Sequence, residues 1–188
     1  MTAPDEHPLR ARARPDFESG SPTLRVADLF CGCGGLSLGV AQAARAASRA
    51  LEIVLAMDVD PAALAVYEAN FPAAETRMQS AEELFDGALG SPPTAAELEV
   101  SRLTGHVDAL VGGPPCQGHS NLNNHTRRDD PKNSLYLIMA RAAEILRPDV
   151  VVIENVPAVA HDKGHVVLVA RRQLESIGYQ VGEASLKL

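Results

Sequence analysis

The sequence predicts an α/β domain: a mostly parallel sheet with helices on both faces. Three observations carry this. Short apolar runs alternate with stretches of helical period along the chain. The first run, Leu24 to Phe30, ends in a glycine turn and then an Ala-rich helix, the opening of a mononucleotide-binding unit. Finally, residues able to do chemistry recur where the runs stop. A chain of 188 residues suits one domain with a sizeable core. Aromatics are only 4% of it, so that core must be built from Ala, Val, Leu and Ile.

Met1 to Pro22 is polar and rich in Pro and Arg, and we expect a leader without fixed structure before a domain over 23–188. Arg10, Arg12 and Arg14 suggest a basic arm, but Asp5, Glu6, Asp16 and Glu18 dilute it. The strand LRVADLF is followed by CGCGGLSLG, Cys31 to Gly39. Gly32, Gly34 and Gly35 permit positive φ and let a ligand approach the backbone. The spacing is not the GxGxxG that favours a pyrophosphate. Cys31 and Cys33 lack nearby partners for a metal and read as small loop fillers.

Leu51 to Met57 is a second strand, delivering Asp58, Val59 and Asp60. Pro61 opens the next helix. Asp60 fits its N-cap, which leaves Asp58 as the acid at the strand end, the usual place for ribose hydroxyls. Thr76 to Gln79 reads as a brief third strand. Ser80 should cap a short helix, Ala81 to Leu84, with Glu83 completing a capping box. Asp86 to Gly105 reads as loop or weak helix without a function, because Gly87, Gly90, Pro92 and Pro93 break it.

Val107 to Val111 is a fourth strand, and it leads into GGPPCQGHS, Gly112 to Ser120. Two glycines turn the backbone and two prolines stiffen it. Cys116 is thus held on a rigid turn among polar neighbours, which suits a nucleophile better than a core filler. Asn121 to Asn133 is polar and locally basic at Arg127, Arg128 and Lys132; it reads as a lid or as a solvated connector. An amphipathic helix over Ser134 to Leu146 follows. Val150 to Ile153 is expected as a fully buried strand that delivers Glu154 to the same sheet edge as Cys116. A helix over His165 to Ile177 and a sixth strand over Tyr179 to Leu188 complete the reading.

The formal net charge of −7 has the wrong sign for a free-standing nucleic-acid binder, so any such contact must come from a local patch or a partner. No apolar run approaches the length needed to cross a bilayer, and the N-terminus lacks a signal-peptide core. Three cysteines do not make a disulfide framework. A reducing, cytoplasmic setting is expected.

With these motifs in order, the sequence resembles the DNA cytosine-C5 methyltransferase family. DLFCGCGGLSLG resembles its first motif, GGPPCQGHS its catalytic motif and ENV (154–156) its glutamate motif. The resemblance implies a Rossmann-like, S-adenosylmethionine-dependent methyltransferase fold, truncated here before the seventh strand. It implies methyl transfer to C5 of cytosine in DNA through a covalent Cys116 adduct, with the target base flipped out. Glu154 would hold a proton at N3, for which burial should raise its pKa. Phe30, Gly32, Gly34 and Gly35 would line the methionine and adenosine side, Asp58 would take the ribose, and Val59 would pack on adenine. Leu135 would close the pocket beside the cofactor, Pro115 would touch the cofactor or the cytosine, and Ser80 stands where the family commonly has an acid reading the adenine amino group. Asn155 would fix the Glu154 backbone. Gln117, Ser120, Arg127 and Arg128 would face DNA. His119 replaces the usual Phe of the catalytic motif. No metal is implied. Neither a recognition domain nor the closing C-terminal motifs are recognisable, so activity is expected to need a further part or a second polypeptide. A non-catalytic partner or remnant is the alternative within this resemblance, and a tRNA-methylating member remains open. A nicotinamide-dependent oxidoreductase shares the glycine turn and acid but gives no reason for the Pro-Pro-Cys loop with ENV.

Overall fold

In the computed structural model, residues 16–115, 135–155 and 166–186 are described. Five strands form one parallel sheet in the order β3-β2-β1-β4-β5. These are β1 (Thr23–Leu29), β2 (Ala50–Asp58), β3 (Thr76–Met78), β4 (Ala109–Gly112) and β5 (Val150–Ile153). Helices α1 (Gly35–Ala46), α2 (Pro61–Asn70), α3 (Ala81–Leu84), α4 (Ala95–Thr104), α5 (Leu135–Leu146) and α6 (Val166–Ser176) connect or follow them. The order reverses between β1 and β4, which makes that gap the topological switch point, where open α/β sheets bind ligands.

Alternation along β1 explains the two layers. Val26 and Asp28 point to one face; Ala27 and Leu29 point to the other. Val26, Ile53, Ala56 and Val111 pack with Ala41 of α1 and with Leu64 and Tyr67 of α2. Ala27, Leu29, Leu55, Met57 and Leu110 pack beneath α3 to α6, with Met139, Ala143, Val166 and Leu174. A register shift between Val26 and Ala27 skips Val54 in the β1–β2 ladder.

Local chemistry sets the helix starts. The Asp60 carboxylate accepts from the Ala62 N–H at 2.8 Å, and Pro61 sits at the first helical position of α2. α1 differs: its N-cap is Gly34 in the left-handed region, and no side chain caps its first turn.

Five expectations need correction. Asp16 to Pro22, placed in the leader, packs on the domain: Phe17 is buried and stacks on Phe71 at 6.2 Å, and its carbonyl accepts from the Leu51 N–H at 2.7 Å. One aromatic side chain in a polar stretch was enough to anchor it. The segment 86–105 contains the ten-residue helix α4, started by a capping box in which Thr94 and Glu97 satisfy each other's backbone N–H. The capping box expected at Ser80 and Glu83 does not form. Ser80 accepts instead from the Glu82 N–H at 3.3 Å, within a helix of four residues. β5 is not fully buried: Val150 and Val152 are 53% and 44% exposed, because α1 and α2 cover only β1, β2 and β4 on that face. The sixth strand is absent over 179–186, where Tyr179 instead packs on the α5–α6 layer and its hydroxyl donates to the Pro148 carbonyl.

A buried ion pair fixes the 86–105 segment to the domain. Arg141 of α5 forks onto both oxygens of Glu97 at 2.7 and 2.6 Å. It also donates to Glu144 at 2.9 Å and to the carbonyls of Ser91 and Pro92 at 2.9 and 3.2 Å. Burial pushes the Glu97 carboxyl up, but the Arg141 hydrogen bonds and the N–H groups of Thr94 and Gly87 outweigh it and hold it below the usual range.

Candidate active site

The ladder sets four strand tips at one level. Leu29 pairs with Met57 and with Gly112, and Gly112 pairs with Ile153. One residue further on, Phe30, Asp58, Gly113 and Glu154 therefore stand side by side. Neighbouring strands lie about 4.8 Å apart, so β2 to β5 spans roughly 14 Å along this edge.

The glycine turn is strained and tied down. Phe30, Gly32 and Gly34 all have positive φ, 58°, 50° and 90°. A phenylalanine there costs energy that its packing must offset. Asp58 holds the turn against β2: one carboxylate oxygen accepts from the Gly32 N–H at 2.8 Å and the other from the Asp60 N–H at 3.0 Å. A Cβ added at Gly32 or Gly35 would meet nothing within 4 Å. The protein's own packing does not require those glycines, and they leave a cradle open in front of α1.

Val59 and Met78 are each 67% exposed, and Met78 pairs with Asp58 across the β2–β3 ladder. They make an apolar surface beside Asp58. Met78 was not singled out from sequence, because a brief strand gives no period to read. Ser80 is half-buried just beyond it.

Gly112 and Gly113 matter for different reasons. A Cβ at Gly112 would lie 2.6 Å from the Leu29 carbonyl oxygen and 2.7 Å from Met139 Sδ, so only glycine lets β4 end there. A Cβ at Gly113 would lie 3.1 Å from Glu154 Oε2. The Glu154 N–H donates to the Gly112 carbonyl at 2.9 Å. The glutamate thus lies against the stem of the Cys116 loop. Pro114 is buried and Pro115 exposed. Glu154 is itself exposed, so the burial expected to tune it is not present in this structure. The Asn155 amide, expected to fix the Glu154 backbone, reaches the Tyr136 hydroxyl at 3.5 Å. Leu135 begins α5 and is half-buried. Cys116, Gln117, His119, Ser120, Arg127 and Arg128 lie outside the described residues.

Cys31 is buried, and its thiol is pushed far up by that burial and by the charges of Asp28 and Asp58, which suits a filler. Cys33 is exposed and fills nothing. Behind the turn lies a polar group that sequence reading missed. Asp28 is fully buried and accepts from the Ser37 hydroxyl at 2.6 Å; the Tyr67 hydroxyl lies 2.7 Å from Ser37 Oγ. Asp28 Oδ1 has no partner among the described residues. Desolvation, with the nearby Asp58 charge adding to it against the Ser37 hydrogen bond, pushes the Asp28 pKa up to about 7. The signal available was an aspartate inside an otherwise apolar strand.

His106, Asp108 and Asp149 converge at the opposite end of the sheet, but Asp108 already accepts from the Arg25 N–H at 2.6 Å and faces Arg49 at 3.8 Å. Among the described residues no helix is long and apolar enough to cross a membrane.

The C-5 cytosine-specific DNA methylases match this chain over residues 24–187. It belongs to that family. It is 42% identical over 182 residues to the type II methyltransferase M1.BsuMI of Bacillus subtilis, covering 97% of this chain and 43% of that relative. It is 32% identical to DNA (cytosine-5)-methyltransferase 1 of Mus musculus, covering 93% of this chain and 11% of that protein. Among solved structures, a prophage-encoded E. coli protein described as a DNA modification methyltransferase superposes with a TM-score of 0.61 at 29% identity, covering 81% of this chain and 38% of that one. Spodoptera frugiperda DNMT2 superposes with a TM-score of 0.52 at 20% identity, covering 81% and 40%, which speaks for the fold alone. The chain thus spans less than half the length of these relatives. The glycine turn and the Gly112–Pro115 stem flank the switch point between β1 and β4.

Proposed function

We propose that this chain carries the methyl-transfer half of a DNA cytosine-C5 methyltransferase, with S-adenosylmethionine as cofactor. The observation that carries the reading is the juxtaposition at the switch point: Glu154 lies against Gly113, whose strand β4 pairs with β1 and its glycine turn. The open cradle at Gly32 and Gly35 fits a cofactor that approaches backbone. Phe30, Gly32, Gly34 and Gly35 would hold its methionine end, near the uncapped first turn of α1, which favours a carboxylate. Asp58 keeps acceptor capacity for ribose hydroxyls, while Val59, with Met78, offers an apolar face to adenine and Ser80 borders it. Pro115 and Leu135 would close the site. S-adenosylmethionine supplies an electrophilic methyl group.

The chain's own residues prepare the base to receive it. The Cys116 thiolate adds to C6 of the flipped cytosine, and the ring's electron density moves toward C5. Glu154 holds a proton at N3 and so stabilises the adduct. Once C5 carries the methyl, loss of its proton expels the thiolate and restores the ring. The stem through Pro114 and Pro115 gives the thiol a fixed base, which limits the orientational entropy lost on attack. Exclusion of water by the base and the loop would supply the burial that Glu154 lacks here. Gln117, Ser120, Arg127 and Arg128 would contact the DNA strand.

Full activity would need further chain. Among the described residues no strand pairs with the outer edge of β5, and Val150 and Val152 are exposed on one of its faces; both support a further segment or second polypeptide packing there and bringing base recognition. The bacterial type II relatives support a cytoplasmic setting. The test is methyl transfer from labelled cofactor to duplex DNA. The chain with the remaining part of a relative supplied should turn over, and the chain alone should not. Robust turnover by the chain alone would refute the need for a second part, and binding of NAD in place of S-adenosylhomocysteine would refute the cofactor reading.

A further inference from the structure

We propose that Asp28, Ser37 and Tyr67 form a positioning chain beneath the glycine turn whose protonation state is linked to cofactor binding, so that a cationic cofactor binds with release of a proton from Asp28. The inference rests on the cofactor reading above. The three residues come from β1, the first turn of α1, and α2, the elements that frame the turn. Their hydrogen bonds join Asp28 to Ser37 at 2.6 Å and Ser37 to Tyr67 at 2.7 Å. The Tyr67 ring in turn supports the turn itself: a Cβ at Gly34 would lie 3.0 Å from it. Ser37 has one proton to give, so the chain satisfies one oxygen of Asp28 and leaves Oδ1 orphaned. A buried, orphaned carboxylate oxygen is costly as an anion and much less so as a protonated carboxyl.

The charged surroundings point the same way. From β2, Asp58 faces Asp28 with like charge; from the turn, Cys31 adds a thiol, and from α2, Tyr67 a phenol, both held neutral. β4 contributes Val111 opposite Asp28 and no titratable group. Among the described residues no cation offsets Asp28 and Asp58. A sulfonium and an ammonium bound on the turn supply positive charge next to two acids. That charge favours the ionised form of Asp28, and by linkage ionised Asp28 favours the cation. S-adenosylhomocysteine, which lacks the sulfonium, should be linked more weakly.

The test uses the full chain with S-adenosylmethionine and S-adenosylhomocysteine as probes. Carbon-13 NMR follows the Asp28 carboxyl through pH, assigned by through-bond correlation, and calorimetry gives affinities at pH 6 and pH 8. The Asp28 midpoint should lie near neutrality in the free chain. It should fall by about one unit with saturating S-adenosylmethionine, with roughly fivefold tighter binding at pH 8 than at pH 6. The shift should be smaller with S-adenosylhomocysteine. Asp28→Asn should make S-adenosylmethionine affinity flat with pH, and Ser37→Ala should raise the midpoint, a response that a merely structural hydrogen bond would not couple to ligand. If both ligands bind and the Asp28 midpoint stays fixed, or lies in the ordinary carboxylate range, this inference fails while the cofactor reading stands. If neither ligand binds at any pH, both fail together.

Discussion

Replacing Arg141 by methionine removes the only described cation from the Glu97 pocket while keeping most of the side-chain volume. Arg141 is 2% exposed and Glu97 fully buried, and five hydrogen bonds of 2.6 to 3.2 Å leave this guanidinium. Without it, Glu97 keeps the N–H groups of Gly87 and Thr94, at 3.0 and 2.8 Å, but no opposite charge. Breaking a buried pair in this way costs about 3–5 kcal/mol, a large share of the 5–15 kcal/mol typical of a whole domain. For a chain of this size that lowers Tm by roughly 6–20 °C. The sign with pH is also fixed. In the native chain the Glu97 pKa is depressed, so its contribution is present above the ordinary glutamate value and lost as pH falls through the lower folded one. In Arg141→Met burial of Glu97 is no longer offset by a cation, so Glu97 takes up a proton and the loss shrinks toward acid pH. Urea unfolding at pH 5 and pH 8 reads both effects, and the double variant Arg141→Met with Glu97→Gln should recover at least about half the loss. A single-variant cost below about 1 kcal/mol, or a double variant as unstable as the two losses added, would refute the argument.

Further expectations concern the sheet edge and the termini. Gly112→Ala should cost about 1–3 kcal/mol in urea unfolding, because its Cβ has no room between the Leu29 carbonyl and Met139. Phe17→Ala should cost about 3–5 kcal/mol, far more than loss of a surface residue, if the segment before β1 is part of the core. Asp28 gives a second pH signature: its folded pKa is raised to about 7, so its contribution is full below the unfolded value of 3.8 and lost as pH climbs toward neutrality. Differential scanning calorimetry should therefore show Asp28→Asn gaining on the native chain between pH 5 and pH 8, and parallel curves would count against a buried neutral carboxyl. Glu154→Gln should leave S-adenosylhomocysteine affinity unchanged within about twofold by calorimetry while abolishing methyl transfer, since only the proton at N3 is lost.

The strand tips were legible because they are written in short, local signals. A buried strand followed by Gly and Pro marks the tip of β4 at Gly112 and Gly113, and its parallel neighbour β5 brings Glu154 to the same edge; Cys116 lies outside the described residues. What the sequence hid depended on distance or on single residues. Phe17 reads as an accident in a polar leader until Phe71 is seen beneath it. The Thr94–Glu97 box was masked by the Gly and Pro residues before it, and Glu97's partner lies 44 residues away. Val150 and Val152 look like core until α1 and α2 are seen to cover only β1, β2 and β4 on their face. The Asp28 chain spans three elements, and no spacing rule links them. Glu154 was expected to be buried behind its apolar strand, and it is exposed at the tip of β5.

The most direct measurement of the central claim is covalent trapping. The chain, with the remaining part of a relative supplied, is incubated with S-adenosylmethionine and a duplex carrying 5-fluorocytosine at the target, whose fluorine blocks elimination. Peptide mass spectrometry should find the base bonded to Cys116, and Cys116→Ser should leave no adduct. An adduct on Cys31 or Cys33, or one that survives Cys116→Ser, would contradict a thiol and a glutamate working from adjacent strand tips.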